Sequence, residues 1–348
     1  MLNGPVLVLG AGAWGTALAI HLARRPGQAP VSLWARDPAQ SSDLAAHREN
    51  RRYLPGQAFP PELAVASVLR DALAAWVQAA ASQPGALLIL ATPVAGLSDL
   101  SKQVAAHVKS PPAGAGLLWL SKGVAQGDHG AFTWPSDLVS ASLPGWPMGA
   151  LSGPSFAQEV AQGLPVALTL ASTSLAWARA AARGLHGAGM RVYATDDLVG
   201  VQLGGAIKNV LAIAAGAADQ MALGANARAA LITRGLAEAA RLGEAMGAQT
   251  STFIGLATLG DLVLTCTGDL SRNRRVGMAL AMGKTLDETL QGLGHVAEGV
   301  RTAPVIQALG KGLGVELPIV EAVCAVLEGR WTAQEALLDL LSREAVDE

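Results

Sequence analysis

The stretch PVLVLGAGAWGTALA, residues 5–19, runs an apolar segment of strand length into Gly10-x-Gly12-x-x-Gly15 and then directly into a helix-forming run. In such a strand–turn–helix the first glycine permits the tight turn, and the second lets the backbone approach a pyrophosphate. The third packs the helix against the strand. The unpaired amides at the helix start then suit an anionic dinucleotide. An ordinary strand–helix turn with chance glycines is the plain alternative, and the surrounding sequence weighs against it.

Outward from this loop, the first half alternates continuous apolar runs with helix-like segments, the pattern of a mostly parallel sheet wrapped by helices. Pro5–Leu9, Val31–Trp34, Ala86–Ala91, Gly116–Leu120 and Met148–Leu151 read as strands buried on both faces, with Val166–Leu170 and Met190–Tyr193 as further candidates. Thr16–Arg25 reads as the first helix. After about Thr195 the texture changes to long Ala/Leu/Gly segments with three- and four-residue apolar spacing, such as Thr233–Met246 and Pro318–Leu327. The expected organisation is therefore an α/β dinucleotide-binding domain over residues 1–194 and an all-α domain over 195–348.

Composition narrows the function classes. A chain of 348 residues with a formal charge of −2 offers no electrostatic case for nucleic acid or an anionic membrane surface. Two distant cysteines, Cys266 and Cys324, exclude a disulfide framework and suit a reducing cytoplasm. No His/Cys/Asp cluster has metal-ligand spacing, so no metal is expected. Leu198–Ala218, the longest weakly polar stretch, contains Gln202, Lys208 and Asn209 and reads as a poor transmembrane helix.

Three places carry chemistry. The second strand ends in Trp34-Ala35-Arg36-Asp37, where a basic residue can hold the 2′-phosphate of NADP and an acid the free ribose of NAD. Arg36 comes first, which favours NADP with NAD also usable; a solvated loop charge is the plain alternative. Lys122 stands at the end of a parallel strand, where open α/β sheets place ligand groups. Lys208 is the only charged residue between Asp197 and Asp219. A lysine in apolar surroundings is a plausible proton-transfer group, unless it snorkels along an exposed helix stripe. Finally, Asp261 to Arg275 combines an acid, hydroxyls and a dense basic cluster. If Ser271 caps the next helix, its free amides and the Arg272 fork suit a phosphate; an exposed basic helix start is the alternative.

Taken together, GAGAWGTALA, LSKG, LSGPSFAQEVAQGLP, GVQLGGAIKNVLAIAAG, GANARAALITRGLAE, LGDLVLTCTGDLSRNRRVG and VAEGVR resemble the bacterial-type NAD(P)-dependent sn-glycerol-3-phosphate dehydrogenases, in the same order from residue 10 to about 301. The resemblance implies interconversion of sn-glycerol 3-phosphate and dihydroxyacetone phosphate for phospholipid synthesis. It also implies a Rossmann-like N-terminal domain, an all-helical C-terminal domain and a cytoplasmic homodimer without an integral membrane segment. Carried over by position, Lys208 is the proton donor and acceptor, Lys122 contacts substrate and cofactor, and Asp261 is a substrate-site acid that holds a lysine ammonium in place. Gly153, Ser155, Ser271, Arg272 and Asn273 are implied substrate contacts. Gly10, Gly12, Ala13, Trp14, Gly15, Arg36, Ala157, Arg272, Val296 and Glu298 are implied cofactor contacts. Position 13 is Ala where some relatives have Ser, so that contact would come from backbone alone. Related β-hydroxyacid or 6-phosphogluconate-type dehydrogenases, and a non-catalytic NAD(P) sensor, are the competing readings.

Overall fold

The protein is seen in a computed structural model that describes residues 3–126, 132–293 and 297–342. Its main sheet has eight strands. They are β1 (Val6–Leu9), β2 (Val31–Trp34), β3 (Leu63–Ala66), β4 (Leu87–Leu90), β5 (Gly116–Trp119), β8 (Met148–Ser152), β9 (Val166–Ala171) and β10 (Met190–Thr195); β6 (Ala125–Gln126) and β7 (Phe132–Thr133) form a separate ribbon. The spatial order is β10-β9-β8-β5-β4-β1-β2-β3, and every pairing is parallel except β8 with β9. β1, β4 and β5 are buried along their whole length, as their unbroken apolar runs require. The chain leaves β1 toward β2 and β3, then returns to place β4 on the other side of β1. That reversal makes the carboxyl end of β1, where the glycine loop lies, a topological switch point and hence a natural ligand position.

The strands fall where the apolar runs predict, with ends shifted by one or two residues. The first helix spans Ala13–Ala23 and so begins three residues earlier than its apolar spacing suggests. Its opening turn, Ala13-Trp14-Gly15, has no periodic pattern to read, because the turn is fixed by contact with the glycine loop. β3 gave no signal: only Leu63 of its four residues is buried, and it sits at the sheet edge.

The chain folds into two compact units, Met1–Lys122 with Thr133–Leu198, and Gly123–Phe132 with Val199–Glu348. Beyond the ribbon strand, the second unit's described regular structure is helical, built around Leu198–Gln220. This helix and the stretch Thr250–Thr267 are long and apolar enough to cross a membrane, but 89% of the first one's apolar window is buried inside the protein. Backbones pack closely around it. A Cβ on Gly277 would lie 1.9 Å from Ile213 O, one on Gly216 1.9 Å from Arg274 O, and one on Gly299 2.5 Å from Asn209 O. The helices Arg272–Ala281 and Glu298–Leu313 are thereby held at backbone distance from the segment that carries Lys208.

Candidate active site

In the sheet-bearing unit, each glycine of the loop has a separate steric reason. Gly10 has φ +126°, and a Cβ there would meet Ala91 O at 2.5 Å. A Cβ on Gly15 would lie 2.2 Å from Gly10 O and 2.7 Å from the Ala91 Cβ, so only glycine lets this helix seat on its strand. Gly12 has nothing within 4 Å of its Cβ position, so the backbone there is open to a large approaching group. The helix Ala13–Ala23 starts without a side-chain cap and without an acidic residue in its first turn. Its first amides are thus left for an anion, with Ala13 and Trp14 half-buried beside them.

Arg36 and Asp37, the pair after β2, divide their labour. The Asp37 carboxylate accepts from Ala39 N at 2.9 Å and caps the helix Pro38–His47. Arg36 is exposed, and its guanidinium makes no hydrogen bond or ion pair among the described residues. The open Gly12, the uncapped helix start and the uncommitted Arg36 together fit a phosphorylated dinucleotide.

Two more loops of this unit meet at the carboxyl ends of β5 and β8. Lys122 Nζ donates to Gly153 O at 3.0 Å, and Ser155 Oγ donates to the same oxygen at 3.0 Å. Gly153 has φ +130°, and a Cβ there would come within 3.2 Å of the β9 backbone at Ala167 O. This turn leads into the helix Ala157–Ala161, which packs on the helix Ala13–Ala23 and brings Ala157 against the core beside Trp14.

The helical unit holds a charged cluster in an apolar interior. Lys208 is 8% exposed and Asp261 2% exposed, with Lys208 Nζ donating to Asp261 Oδ1 at 2.9 Å. The same ammonium donates to Thr265 Oγ1 at 2.9 Å, and the Thr265 hydroxyl donates to Asp261 O at 2.5 Å. Lys208 is therefore a buried, paired lysine, and the snorkelling alternative is removed. Two of its three N–H bonds are taken, which leaves one for a ligand oxygen. Asp261 is the first α-helical residue of Asp261–Thr267, which continues directly from a π-helical turn. That turn spans Leu256–Gly260, with Gly260 N donating to Gly255 O at 3.2 Å. Thr265 was legible only as one hydroxyl of an anion cradle. Its spacing of four from Asp261 on one helix was the available signal for a shared partner.

Ser271 caps the helix Arg272–Ala281 as expected, its Oγ accepting from Arg274 N at 3.2 Å. The basic cluster then splits. Arg274 is consumed by ion pairs to Asp219 at 2.7 Å and Asp269 at 2.9 Å, whereas Arg272 is exposed. Burial pushes the Glu298 carboxyl above its usual range, and the positive charges of Arg272 and Arg301 pull it back, which places Arg272 and Glu298 in one electrostatic neighbourhood. Asn273 is buried and bridges helices: its Nδ2 donates to Asn209 Oδ1 at 2.8 Å, and its Oδ1 accepts from Gly299 N at 3.0 Å. One Asn273 N–H is left over for a ligand, and Asn209 joins the network without having been singled out from sequence. Val296 lies outside the described residues.

A family model described as NAD-dependent glycerol-3-phosphate dehydrogenase N-terminus matches residues 5–178, and the corresponding C-terminus model matches 197–338. A Methylibium petroleiphilum protein named glycerol-3-phosphate dehydrogenase (NAD(P)+) is 52% identical over 340 residues, covering 98% of this chain and 97% of its own. One of the same name from Cupriavidus taiwanensis is 51% identical over 346 residues, covering 98% of each. The crystal structure of glycerol-3-phosphate dehydrogenase from Coxiella burnetii aligns with a TM-score of 0.87 at 38% identity, covering 99% of this chain and 100% of that one.

Proposed function

The chain belongs to the NAD-dependent glycerol-3-phosphate dehydrogenase family, and from that premise we propose how its residues divide the reaction. The reaction is the reversible interconversion of sn-glycerol 3-phosphate and dihydroxyacetone phosphate with NAD(P), which supplies glycerol 3-phosphate for phospholipid synthesis. The observation that carries the assignment is the buried Lys208–Asp261–Thr265 cluster with one ammonium N–H to spare.

When bound, a nicotinamide dinucleotide would supply the hydride that C2 of the substrate gains in the direction of reduction. Lys208 points its remaining N–H at the C2 oxygen, polarises the carbonyl and delivers the proton as that oxygen gains negative charge. Asp261 orients the lysine, and Thr265 fixes the ammonium from a second direction. Solvent then returns a proton to Lys208. Ser271, Arg272 and Asn273 hold the substrate phosphate at the start of the helix Arg272–Ala281. Lys122 and the Gly153–Ser155 turn contact the remaining polar groups of the substrate. Gly10, Gly12, Ala13, Trp14, Gly15, Arg36 and Ala157 hold the dinucleotide, with Lys122, Arg272, Val296 and Glu298 as further contacts. The assignment makes residues 1–194 the dinucleotide domain and 195–348 the substrate domain. A cytoplasmic homodimer without a membrane-spanning segment completes the proposal, and the two buried free thiols suit a reducing compartment.

Arg272→Ala tests the phosphate assignment. Losing a charge-assisted fork should raise the KM for dihydroxyacetone phosphate about 10- to 100-fold. The weak turnover of unphosphorylated dihydroxyacetone should be nearly unchanged, whereas equal losses on both substrates would place Arg272 elsewhere. Arg36→Ala tests cofactor choice, which we propose favours NADP because Asp37 is committed to its helix cap. Removing an exposed charge contact should weaken NADPH about tenfold and leave NADH unaffected. Parallel titrations with the two reduced cofactors decide it, and an unchanged NADPH affinity would remove Arg36 from the site.

A further inference from the structure

One carbonyl of the glycine loop is gripped by two side chains from outside the loop. Gln40 Nε2 donates to Ala11 O at 2.8 Å, and Asn50 Nδ2 donates to the same oxygen at 2.9 Å. Asn50 Nδ2 also reaches Thr16 Oγ1 at 2.8 Å, and its Oδ1 accepts from Tyr53 N at 3.2 Å. Asn50 is 1% exposed, and its amide is fully used, with both donors and the oxygen engaged. The G-x-G-x-x-G pattern signals neither residue. Both come from the segment that follows β2.

The arrangement fixes a peptide plane. Across a trans peptide, the C=O and the next N–H point in opposite directions, and none of the described peptides is cis. Holding Ala11 O against Gln40 and Asn50 therefore turns the Gly12 N–H away from them, at a residue with nothing within 4 Å of its Cβ position. Both lone pairs of Ala11 O are taken, so this peptide cannot flip without breaking two hydrogen bonds. The Asn50 bond to Thr16 extends the same grip to the first turn of the helix Ala13–Ala23.

We propose that Gln40 and Asn50 are positioning residues for the dinucleotide: by clamping the Ala11 carbonyl they preset the Gly12 amide and the adjoining helix start for the cofactor's pyrophosphate. The proposal rests on the cofactor reading above and deepens it. Gln40 stands on the helix Pro38–His47, which Asp37 caps directly after Arg36. One short segment thus carries both the 2′-phosphate reader and half of the pyrophosphate clamp. The two can still be told apart: NADPH and NADH share the pyrophosphate, so loss of the clamp weakens both equally, whereas loss of Arg36 weakens NADPH alone.

The test measures NADPH and NADH affinity by quenching of tryptophan fluorescence, with steady-state kinetics, in the wild type, Gln40→Ala, Asn50→Ala and the double variant. Each single variant should bind both dinucleotides about threefold to tenfold more weakly, and the double variant about 10- to 50-fold, with the NADPH to NADH ratio constant. The KM for dihydroxyacetone phosphate and kcat at saturating cofactor should move less than twofold, a split that general loss of structure would not produce. Unchanged affinity in folded Gln40→Ala and Asn50→Ala would overturn the proposal, as would a loss confined to NADPH. Should Asn50→Ala fail to fold, the half-buried Gln40→Ala carries the test alone. A wild type that binds neither dinucleotide would sink the cofactor reading, an outcome distinct from failure of the clamp.

Discussion

Lys208→Met should lower kcat with dihydroxyacetone phosphate about 10²- to 10⁴-fold, the range spanned by a positioned general acid. Methionine keeps the apolar stem of lysine and most of its reach, so the helix Leu198–Gln220 loses no packing at this point. What disappears is the N–H that faces the substrate oxygen and the proton it delivers. Because that interaction strengthens only as the carbonyl oxygen becomes an alkoxide, kcat and kcat/KM should fall together, with KM little changed. NADPH affinity should stay within a few-fold of wild type, since Lys208 is not among the proposed cofactor contacts. Steady-state kinetics combined with NADPH titration checks all of this at once. Turnover within tenfold of wild type would remove Lys208 from the proton-transfer role and turn attention to Lys122, whose ammonium is bonded to Gly153 O at 3.0 Å.

What the sequence could show differed between the two halves of the molecule for physical reasons. Continuous apolar runs that end in small or polar residues are an unambiguous mark of strands buried on both faces, so the sheet was legible almost to the residue. β3 was not, because a short edge strand with one buried side chain is shaped by its neighbour rather than by its own pattern. Lys208 stood out as a lone charge in an apolar helix, and the family resemblance implied that Asp261 holds a lysine ammonium; the fold shows that the lysine is Lys208. Thr265, Asn209, Gln40 and Asn50 act through hydrogen bonds between segments distant in the chain. Gln40 and Ala11 are 29 positions apart, and Lys208 and Thr265 are 57 apart. No local periodicity encodes such pairs. The SRNRR cluster shows the converse: five residues that read as one basic patch serve separate ends once folded. Arg274 is neutralised by Asp219 and Asp269, Ser271 caps the helix, Asn273 bridges to Asn209 and Gly299, and Arg272 and Arg275 stay exposed.

The Lys208–Asp261 pair also predicts a stability result that separates catalysis from folding. Asp261→Ala leaves a nearly buried ammonium facing only Thr265, and stranding a buried charge costs about 3–5 kcal/mol. Lys208 retains slight exposure and one hydroxyl partner, so the lower end, about 3 kcal/mol, is expected. Over the unfolding entropy of 348 residues, that should depress the melting temperature by about 4 °C. Lys208→Met strands Asp261 instead, but the Thr265 hydroxyl remains 3.4 Å from its Oδ1, so the loss should be smaller. In Lys208→Met/Asp261→Leu neither charge is left in the interior. An apolar pair of similar volume commonly equals or exceeds a buried ion pair in stability, so the double variant should melt near wild type while remaining inactive. Thermal melts of the four proteins complete a double-mutant cycle. A double variant no more stable than Asp261→Ala would mean that the site is held by shape rather than charge. An Asp261→Ala protein as stable as wild type would mean that water reaches Lys208 freely. Recovery of the fold without recovery of turnover is the outcome expected if Lys208 transfers the proton as proposed, because an apolar pair can replace the ion pair in packing but not in proton transfer.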